Sequence, residues 1–155
     1  MNYVVSVCNL GMKYHSLNGE IDALENINFS VSEGEFISIV GPSGCGKSTL
    51  LSLIAGLMVP TTGEVLVDGK PVMETSDKVG YMLQKDHLFE WRTIYQNVVL
   101  GPEIRRTLNS DTKEYALKLL DTYGLYEFKD KYPSQLSGGM RQRAALIRTL
   151  VARPQ

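Results

Sequence analysis

The chain has 155 residues, of which 43% are hydrophobic and 21% are charged, and its formal net charge is −1. A chain of this length is about one ordinary domain and can bury roughly two-thirds of its unfolded surface. The near-neutral charge excludes a bulk polyanion binder, because nucleic-acid affinity comes mostly from clustered positive charge.

The residues that could form metal sites, disulfide frameworks or membrane spans are few. Cys8, Cys45, His15 and His87 are too scattered to fit a metal-ligand spacing or a disulfide scaffold, which favours a reducing compartment. The longest apolar stretch, Leu50–Val59, is interrupted by a serine and a glycine and is too short to span a bilayer. The first residues lack a basic start and a cleavage site, so we expect no export signal and a cytosolic protein.

The first half of the chain has the pattern of strands around one helix. Strands are predicted at Tyr3–Cys8, Leu24–Val31, Phe36–Val40, Glu64–Val67 and Val79–Leu83. The run Phe36–Val40 (FISIV) is typical of a strand buried on both faces of a parallel sheet. A helix pattern then extends from near Lys47 to about Leu57, and Asp68-Gly69 is a hairpin signal.

From Trp91 onward the sequence predicts helices and no strand. One helix is expected to begin at Asp111, with Glu114 completing a capping box, and to end at Gly124. Its predicted apolar face consists of Ala116, Leu117, Leu119, Leu120 and Tyr123. A last helix is expected from Ser137 to about Ala152. The pattern predicts an α/β chain, with a β-rich front and phosphate-loop core at 1–90 and a helical lobe at 91–155.

Residues 41–48, GPSGCGKS, match the phosphate-loop pattern G-x-x-x-x-G-K-[ST]. Glycines let successive main-chain N–H groups point at phosphate oxygens, and the following helix directs its positive end at the same anion. Lys47 supplies charge to the β- and γ-phosphates, and the Ser48 hydroxyl suits Mg²⁺. The residues expected to hold the nucleotide here are Gly41, Ser43, Gly44, Cys45, Gly46, Lys47, Ser48 and Thr49. This loop alone is compatible with kinases, GTPases and motor proteins. Its glycine spacing does not fit a dinucleotide-binding fingerprint.

A second glycine motif, LSGGMRQR, lies at residues 136–143. Ser137 is placed as an N-cap before Gly138 and Gly139, which would leave the first N–H groups of a helix open to an anion. At this point the chain resembles the ATP-binding subunits of ABC transporters. The motif is similar to their signature sequence, with Met140 where many members carry glutamine.

Two further residues support the resemblance, which extends over essentially the whole chain. Tyr14 matches the aromatic residue that stacks on adenine in that family, and Gln84 matches the glutamine of its Q-loop. The sequences of residues 81–93 and 133–143 most resemble those of the nitrate, sulfonate and thiamine-precursor importers.

The resemblance implies a fold, two cofactors and a partner domain. The fold would be a P-loop NTPase core with an N-terminal antiparallel β subdomain and an inserted α-helical lobe, with the C-terminal part of the domain absent. ATP and Mg²⁺ would be the cofactors, with Lys47 and Gln84 in catalysis and Ser48 and Gln84 at the metal. Two such domains would pair head to tail, so that Ser137, Gly138 and Gly139 act in trans on ATP held by the partner.

The resemblance also implies a membrane partner. Residues 85–93 (KDHLFEWRT) would help to receive an integral membrane subunit, with the protein peripheral on the inner face of the plasma membrane. An equal alternative is that Leu88, Phe89 and Trp91 form a minor hydrophobic cluster packing the helical lobe. Four arginines are interpreted as a solvated helix face rather than a nucleic-acid patch: Arg141, Arg143, Arg148 and Arg153.

The general base of hydrolysis has no candidate in this sequence. In the family, the strand that follows the position of Val151 carries the Walker B aspartate and the catalytic glutamate. We therefore expect an ATPase subunit that powers import of a small solute, whose present residues are not hydrolytically competent or stable alone.

Three other functions remain as alternatives. The first is a non-catalytic nucleotide-binding or dimerisation module. A soluble P-loop kinase is disfavoured because a front subdomain with Tyr14 precedes the loop and because the motif at 136–143 has no role there. An ABC-type ATPase of DNA repair or translation is disfavoured by the compact spacing of the two glycine motifs.

Overall fold

The structure is a computed structural model that describes residues 3–16 and 19–154. It divides into two compact units, residues 1–76 and residues 77–155. The first carries the sheet and one helix, and the second carries the other helices. None of the helices in the part of the chain that the structure describes has the length and hydrophobicity of a membrane span.

An antiparallel sheet of four strands, in the order β2-β1-β3-β4, forms the body of the first unit. Its strands are β1 (Tyr3–Ser16), β2 (Gly19–Ser32), β3 (Thr62–Val67) and β4 (Lys70–Pro71). The first two extend well beyond the predicted runs because irregularities let the pairing bend and continue. Asn9 and Asn26 lie at these irregularities with left-handed φ angles of 47° and 48°.

The turn between β3 and β4 confirms the hairpin predicted at Asp68-Gly69. Val67 pairs with Lys70 across this two-residue turn. Asp68 and Gly69 have φ angles of 49° and 71°. Two positive φ angles give the backbone twist that matches neighbouring strands, which is why Asp-Gly is favoured here.

Helix α1 (Lys47–Ile54) packs against this sheet through Leu50 and Leu53. It begins at the predicted residue but ends before Leu57. Gly56 follows the helix with a φ of 71°, and its N–H donates to the Leu53 carbonyl. A Cβ at Gly56 would collide with the carbonyl of Glu74, so glycine is the residue that fits this turn at the end of the helix.

The strands predicted at Phe36–Val40 and Val79–Leu83 are absent from the described residues. Phe36 and Val40 are 91% and 88% exposed, rather than buried on both faces. A strand forms only where its main chain pairs with a neighbouring strand. Every strand pair in the described sheet is antiparallel and contains β1, β3 or both. The prediction of a buried parallel strand is therefore wrong for this chain as described.

The second unit is helical, as predicted from Trp91 onward. Its helices are α2 (Ile94–Val98), α3 (Leu100–Ile104), α4 (Ser110–Thr122) and α5 (Gly138–Val151). Short 3₁₀ turns occupy Tyr126–Phe128 and Pro133–Gln135. A hydrophobic core joins them, with its fully buried centre formed by Ile94, Val98, Ala116, Leu120, Leu125, Ala144 and Ile147.

The ends of α4 correct one sequence prediction and confirm another. The N-cap is Asn109, whose side chain accepts a hydrogen bond from the N–H of Thr112, so the predicted cap at Asp111 is wrong. Asp111 lies inside the first turn instead, where its charge favours the positive helix end. Gly124, with a φ of 68°, follows the last turn as predicted.

Candidate functional site

The loop at residues 41–48 has the backbone shape that its glycines permit. Gly44 and Gly46 have φ angles of 82° and 90°, in the left-handed region that favours glycine. A Cβ at Gly46 would also collide with the carbonyl of Ala23 and lie 2.8 Å from a methyl group of Leu24. Only glycine satisfies both conditions at this position, which explains the second fixed glycine of the motif.

The ammonium group of Lys47 lies within this loop. Its Nζ donates to the carbonyls of Gly41 at 2.9 Å and Pro42 at 2.6 Å, and it is 3.4 Å from the Cys45 sulfur. The long side chain thus folds back over the loop that precedes it. This places a positive charge beside the main chain of the loop, where it could neutralise a bound anion.

The N-terminus of α1 is open to an anion. In an α-helix the first N–H groups have no intrahelical acceptor, and here they belong to Lys47, Ser48 and Thr49. The N-cap is Gly46, which has no side chain to satisfy them, and the first turn carries no acidic residue. The Ser48 side chain is exposed beside them. These donors fit phosphate oxygens, and the hydroxyl fits a hard divalent cation such as Mg²⁺.

Tyr14 lies at the same end of the first unit as the loop. Its hydroxyl is 3.2 Å from the Thr49 hydroxyl and donates to the Met58 sulfur at 3.6 Å. The residue is 38% exposed. Two contacts therefore fix the hydroxyl end beside the first turn of α1, while part of the residue is left accessible for stacking.

The remaining predicted site residues belong to the second unit. Ser137 caps α5, since its hydroxyl accepts from the N–H of Met140 at 3.3 Å. Gly138 and Gly139 are exposed. A Cβ at Gly139 would meet nothing within 4 Å, so the main chain here is open to close approach by a ligand. Gln84 is also exposed, and its carbonyl accepts from the side chain of Gln142 at 3.3 Å.

The four arginines interpreted as a solvated helix face divide into two pairs: Arg143 and Arg153 are exposed, whereas Arg141 and Arg148 are partly buried. Arg141 pairs with Asp86, and the guanidinium of Arg148 donates to the carbonyls of Asp86 and His87. Arg143 donates to the carbonyl of Tyr123, and Arg153 lies over the ring of Tyr115. Burial lowers the pKa of Arg148, and the nearby charge of Asp86 partly offsets this. Charge counting along a helix could not find these contacts, because the partners are distant in sequence.

A buried asparagine organises the segment at 85–93 and was missed from sequence. Asn97 is fully buried, and its side chain accepts from the N–H of Phe89. It also donates to the carbonyls of Phe89, Arg92 and Thr93. A buried amide with all these bonds fixes the path of a loop that has no regular secondary structure of its own.

The apolar residues of this segment have different environments. Leu88 is buried in the core of the second unit, as the packing alternative predicted. Trp91 is 73% exposed, and its ring lies 4.8 Å from that of Phe89. The segment therefore anchors itself through Leu88 and presents a tryptophan to solvent.

Comparison with known proteins identifies relatives over most of the chain. Residues 24–155 match the family described as ABC transporter. The chain is 50% identical to the uncharacterized ABC transporter ATP-binding protein YtlC of Bacillus subtilis, covering 91% of this chain and 54% of that protein. It is 40% identical to the taurine import ATP-binding protein TauB of Roseobacter denitrificans, covering 97% of this chain and 56% of the relative. The chain thus spans just over half the length of these relatives.

Solved structures agree with the sequence matches. The chain superposes with a TM-score of 0.86, at 36% identity, on the ATP-binding cassette MJ0796 in a dimeric post-hydrolysis state bound to ADP and Pi. That match covers 97% of this chain and 70% of the other. A second match, to cbiO1 of Clostridium perfringens, part of the transporter complex cbiONQ, has a TM-score of 0.79 at 30% identity. It covers 99% of this chain and 63% of that one.

Proposed function

The chain belongs to the ABC transporter family, and on that premise we propose that it is the phosphate-loop and signature-helix portion of an ATP-binding subunit. The whole subunit would couple ATP binding and hydrolysis to import of a small solute through a separate membrane protein. The observation that carries the proposal is the loop at 41–48, where Lys47 folds over the turn and the uncapped α1 follows. The fold is that of the P-loop NTPase α/β class, which its structural relatives share.

The nucleotide would be held from both ends by the first unit. Main-chain N–H groups from Gly44 to Thr49 would bond the phosphate oxygens, and Lys47 would leave its loop carbonyls to pair with the β- and γ-phosphates. Tyr14 would stack on adenine. When bound, Mg²⁺ would neutralise phosphate charge, and the Ser48 hydroxyl and the Gln84 side chain would supply oxygen ligands.

The second glycine motif would act on ATP bound by another copy. The capped, open N-terminus at Ser137, Gly138 and Gly139 suits the γ-phosphate of a nucleotide held on a partner domain. The MJ0796 cassette, to which the chain is similar, is dimeric in two solved structures. Such a dimer would close when ATP binds and open after hydrolysis, and this movement would drive transport.

The partner and place of action follow from the same proposal. Residues 85–93, held by Asn97 and presenting Trp91, would contact the integral membrane subunit. The protein would then be cytoplasmic and peripheral on the inner face of the plasma membrane. The TauB relatives are named for import of taurine, a sulfonate, which favours a small anionic or zwitterionic solute.

The experiment that tests the proposal compares two lysines in the whole subunit that contains this chain. Lys47→Ala should weaken ATP binding at least about tenfold, because it removes the charge aimed at the phosphates. Lys70→Ala, on the exposed strand β4, is the matched control and should leave the dissociation constant unchanged. Equal effects of the two variants, or no ATP binding by the unmodified subunit, would contradict the proposal. ATP binding without hydrolysis would favour the non-catalytic module instead.

A separate prediction concerns the action of Ser137 in trans. Ser137→Arg should leave ATP binding to the monomeric subunit nearly intact, because the phosphate loop is formed by other residues, 41–48. It should abolish ATP-driven dimerisation by placing a bulky side chain where the partner's nucleotide docks. Binding by calorimetry and association by sedimentation separate the two effects. A parallel loss of binding and dimerisation would refute the action in trans.

A further inference from the structure

A set of polar contacts in the second unit joins one face of α5 to residues 84–87. Gln142 donates to the carbonyl of Gln84, Arg141 pairs with the side chain of Asp86, and Arg148 reaches the main chain of Asp86 and His87. These partners are separated by 55 to 62 residues in sequence. The helix that begins at the second glycine motif is thereby tied to the segment that begins at Gln84.

Arg148 makes the contact that depends most on the chemistry of arginine. Its Nη1 donates to the carbonyl of His87 at 2.8 Å and its Nη2 to that of Asp86 at 2.7 Å. His87 has a left-handed φ of 44°, so two successive carbonyls face one guanidinium at a strained turn of the chain. A planar fork with fixed donors can bond both carbonyls at once, whereas a lysine ammonium is a point donor.

Arg141 connects the same segment to the start of α5. Its Nε donates to Asp86 Oδ2 at 3.1 Å, and its Nη1 donates to the carbonyl of Leu136 at 2.8 Å. Leu136 is the residue before the N-cap Ser137. The ion pair is partly buried, with side-chain exposures of 34% for Arg141 and 25% for Asp86. The guanidinium of Arg141 therefore connects the residue before the N-terminus of α5 with the loop after Gln84.

We infer that Asp86, Arg141 and Arg148 are positioning residues of the proposed ATPase, acting on Gln84 and not on the nucleotide. They hold residues 84–87 and α5 as one body. A displacement at Ser137 then moves Gln84 and the start of the 85–93 segment with it. This inference rests on the proposed function, because only a nucleotide bound at the second glycine motif (residues 136–143) gives these contacts a movement to transmit.

The test measures ATP hydrolysis by the whole subunit that contains this chain. Arg148→Lys keeps the charge and loses the double contact, so kcat should fall about tenfold or more while KM for ATP stays within about twofold. Arg105→Lys is the matched control. The described ion pair of Arg105 is with Asp77 at 2.7 Å, in the same unit, and neither residue belongs to α5. This control should keep kcat within about twofold of the unmodified value.

A second variant keeps the test decisive if Arg148→Lys does not fold. Asp86→Asn preserves shape, removes the charge opposite Arg141, and should lower kcat with the same unchanged KM. The inference is overturned if both variants hydrolyse ATP like Arg105→Lys, or if KM rises in step with any loss of kcat. An unmodified subunit that neither binds nor hydrolyses ATP would instead refute the proposed function, and the inference with it.

Discussion

Single residues decide the shape of the phosphate loop. Gly46 has a left-handed φ of 90° and no space for a methyl group against the Ala23 carbonyl. Its role follows from backbone geometry, whereas that of Lys47 follows from charge. The motif therefore combines residues chosen for two different physical reasons, and a substitution at each should have a different signature.

Gly46→Ala should destabilise the protein by about 2 kcal/mol or more, since a Cβ there is both strained and in collision. Gly139→Ala is the control, because Gly139 lies within α5 with open space around its Cβ position. That change should be neutral or stabilise by up to about 1 kcal/mol. Urea unfolding of both variants, each made in the whole subunit that contains this chain, measures the difference. Similar free energies of unfolding would show that the loop does not have the described backbone.

At the scale of elements, the ends of α4 give a direct test of the helix assignment. Asn109 supplies the N-cap hydrogen bond, so Asn109→Ala should cost about 1 kcal/mol of stability. Asp111→Ala should cost only a few tenths of a kcal/mol, because Asp111 interacts with the helix dipole and makes no cap. Chemical denaturation of the whole subunit that contains this chain distinguishes the two variants. A larger loss for Asp111→Ala would restore the sequence-based cap and contradict the structure.

The elements differ in how well the sequence predicts them, for a physical reason. The hairpin at Asp68-Gly69 and the caps at Ser137 and Gly124 depend on neighbours within a few residues, so local patterns suffice. Phe36–Val40 has the composition of a strand but no neighbour in the described sheet, and pairing is not a local property.

The site shows the same division between local and distant contacts. The phosphate loop is recognisable because its donors are consecutive in sequence. The contacts of Arg141 and Arg148 with the segment after Gln84 cross more than fifty residues, and the fourfold bonding of Asn97 depends on how a loop folds over α2. No periodicity or motif reports such contacts, and only the structure assigns them.

At the scale of the whole molecule, the apolar residues of the first unit predict weak stability for these 155 residues alone. Phe36 and Val40 are almost fully exposed, and Leu57 and Val59 are more than half exposed. Such surface favours association over a cooperative monomeric fold. We expect a broad thermal transition with little rise in midpoint on adding ATP. A sharp transition in a monomer, with a large ATP-induced shift, would contradict this expectation.

A structure of the whole subunit with a non-hydrolysable ATP analogue and Mg²⁺ would test the proposed role of the phosphate loop. We expect phosphate oxygens within hydrogen-bond distance of the main-chain N–H groups at 44–49, with Lys47 turned from the carbonyls of Gly41 and Pro42 toward the phosphates. A loop that stays closed on Lys47 while the analogue binds elsewhere, or not at all, would contradict this role.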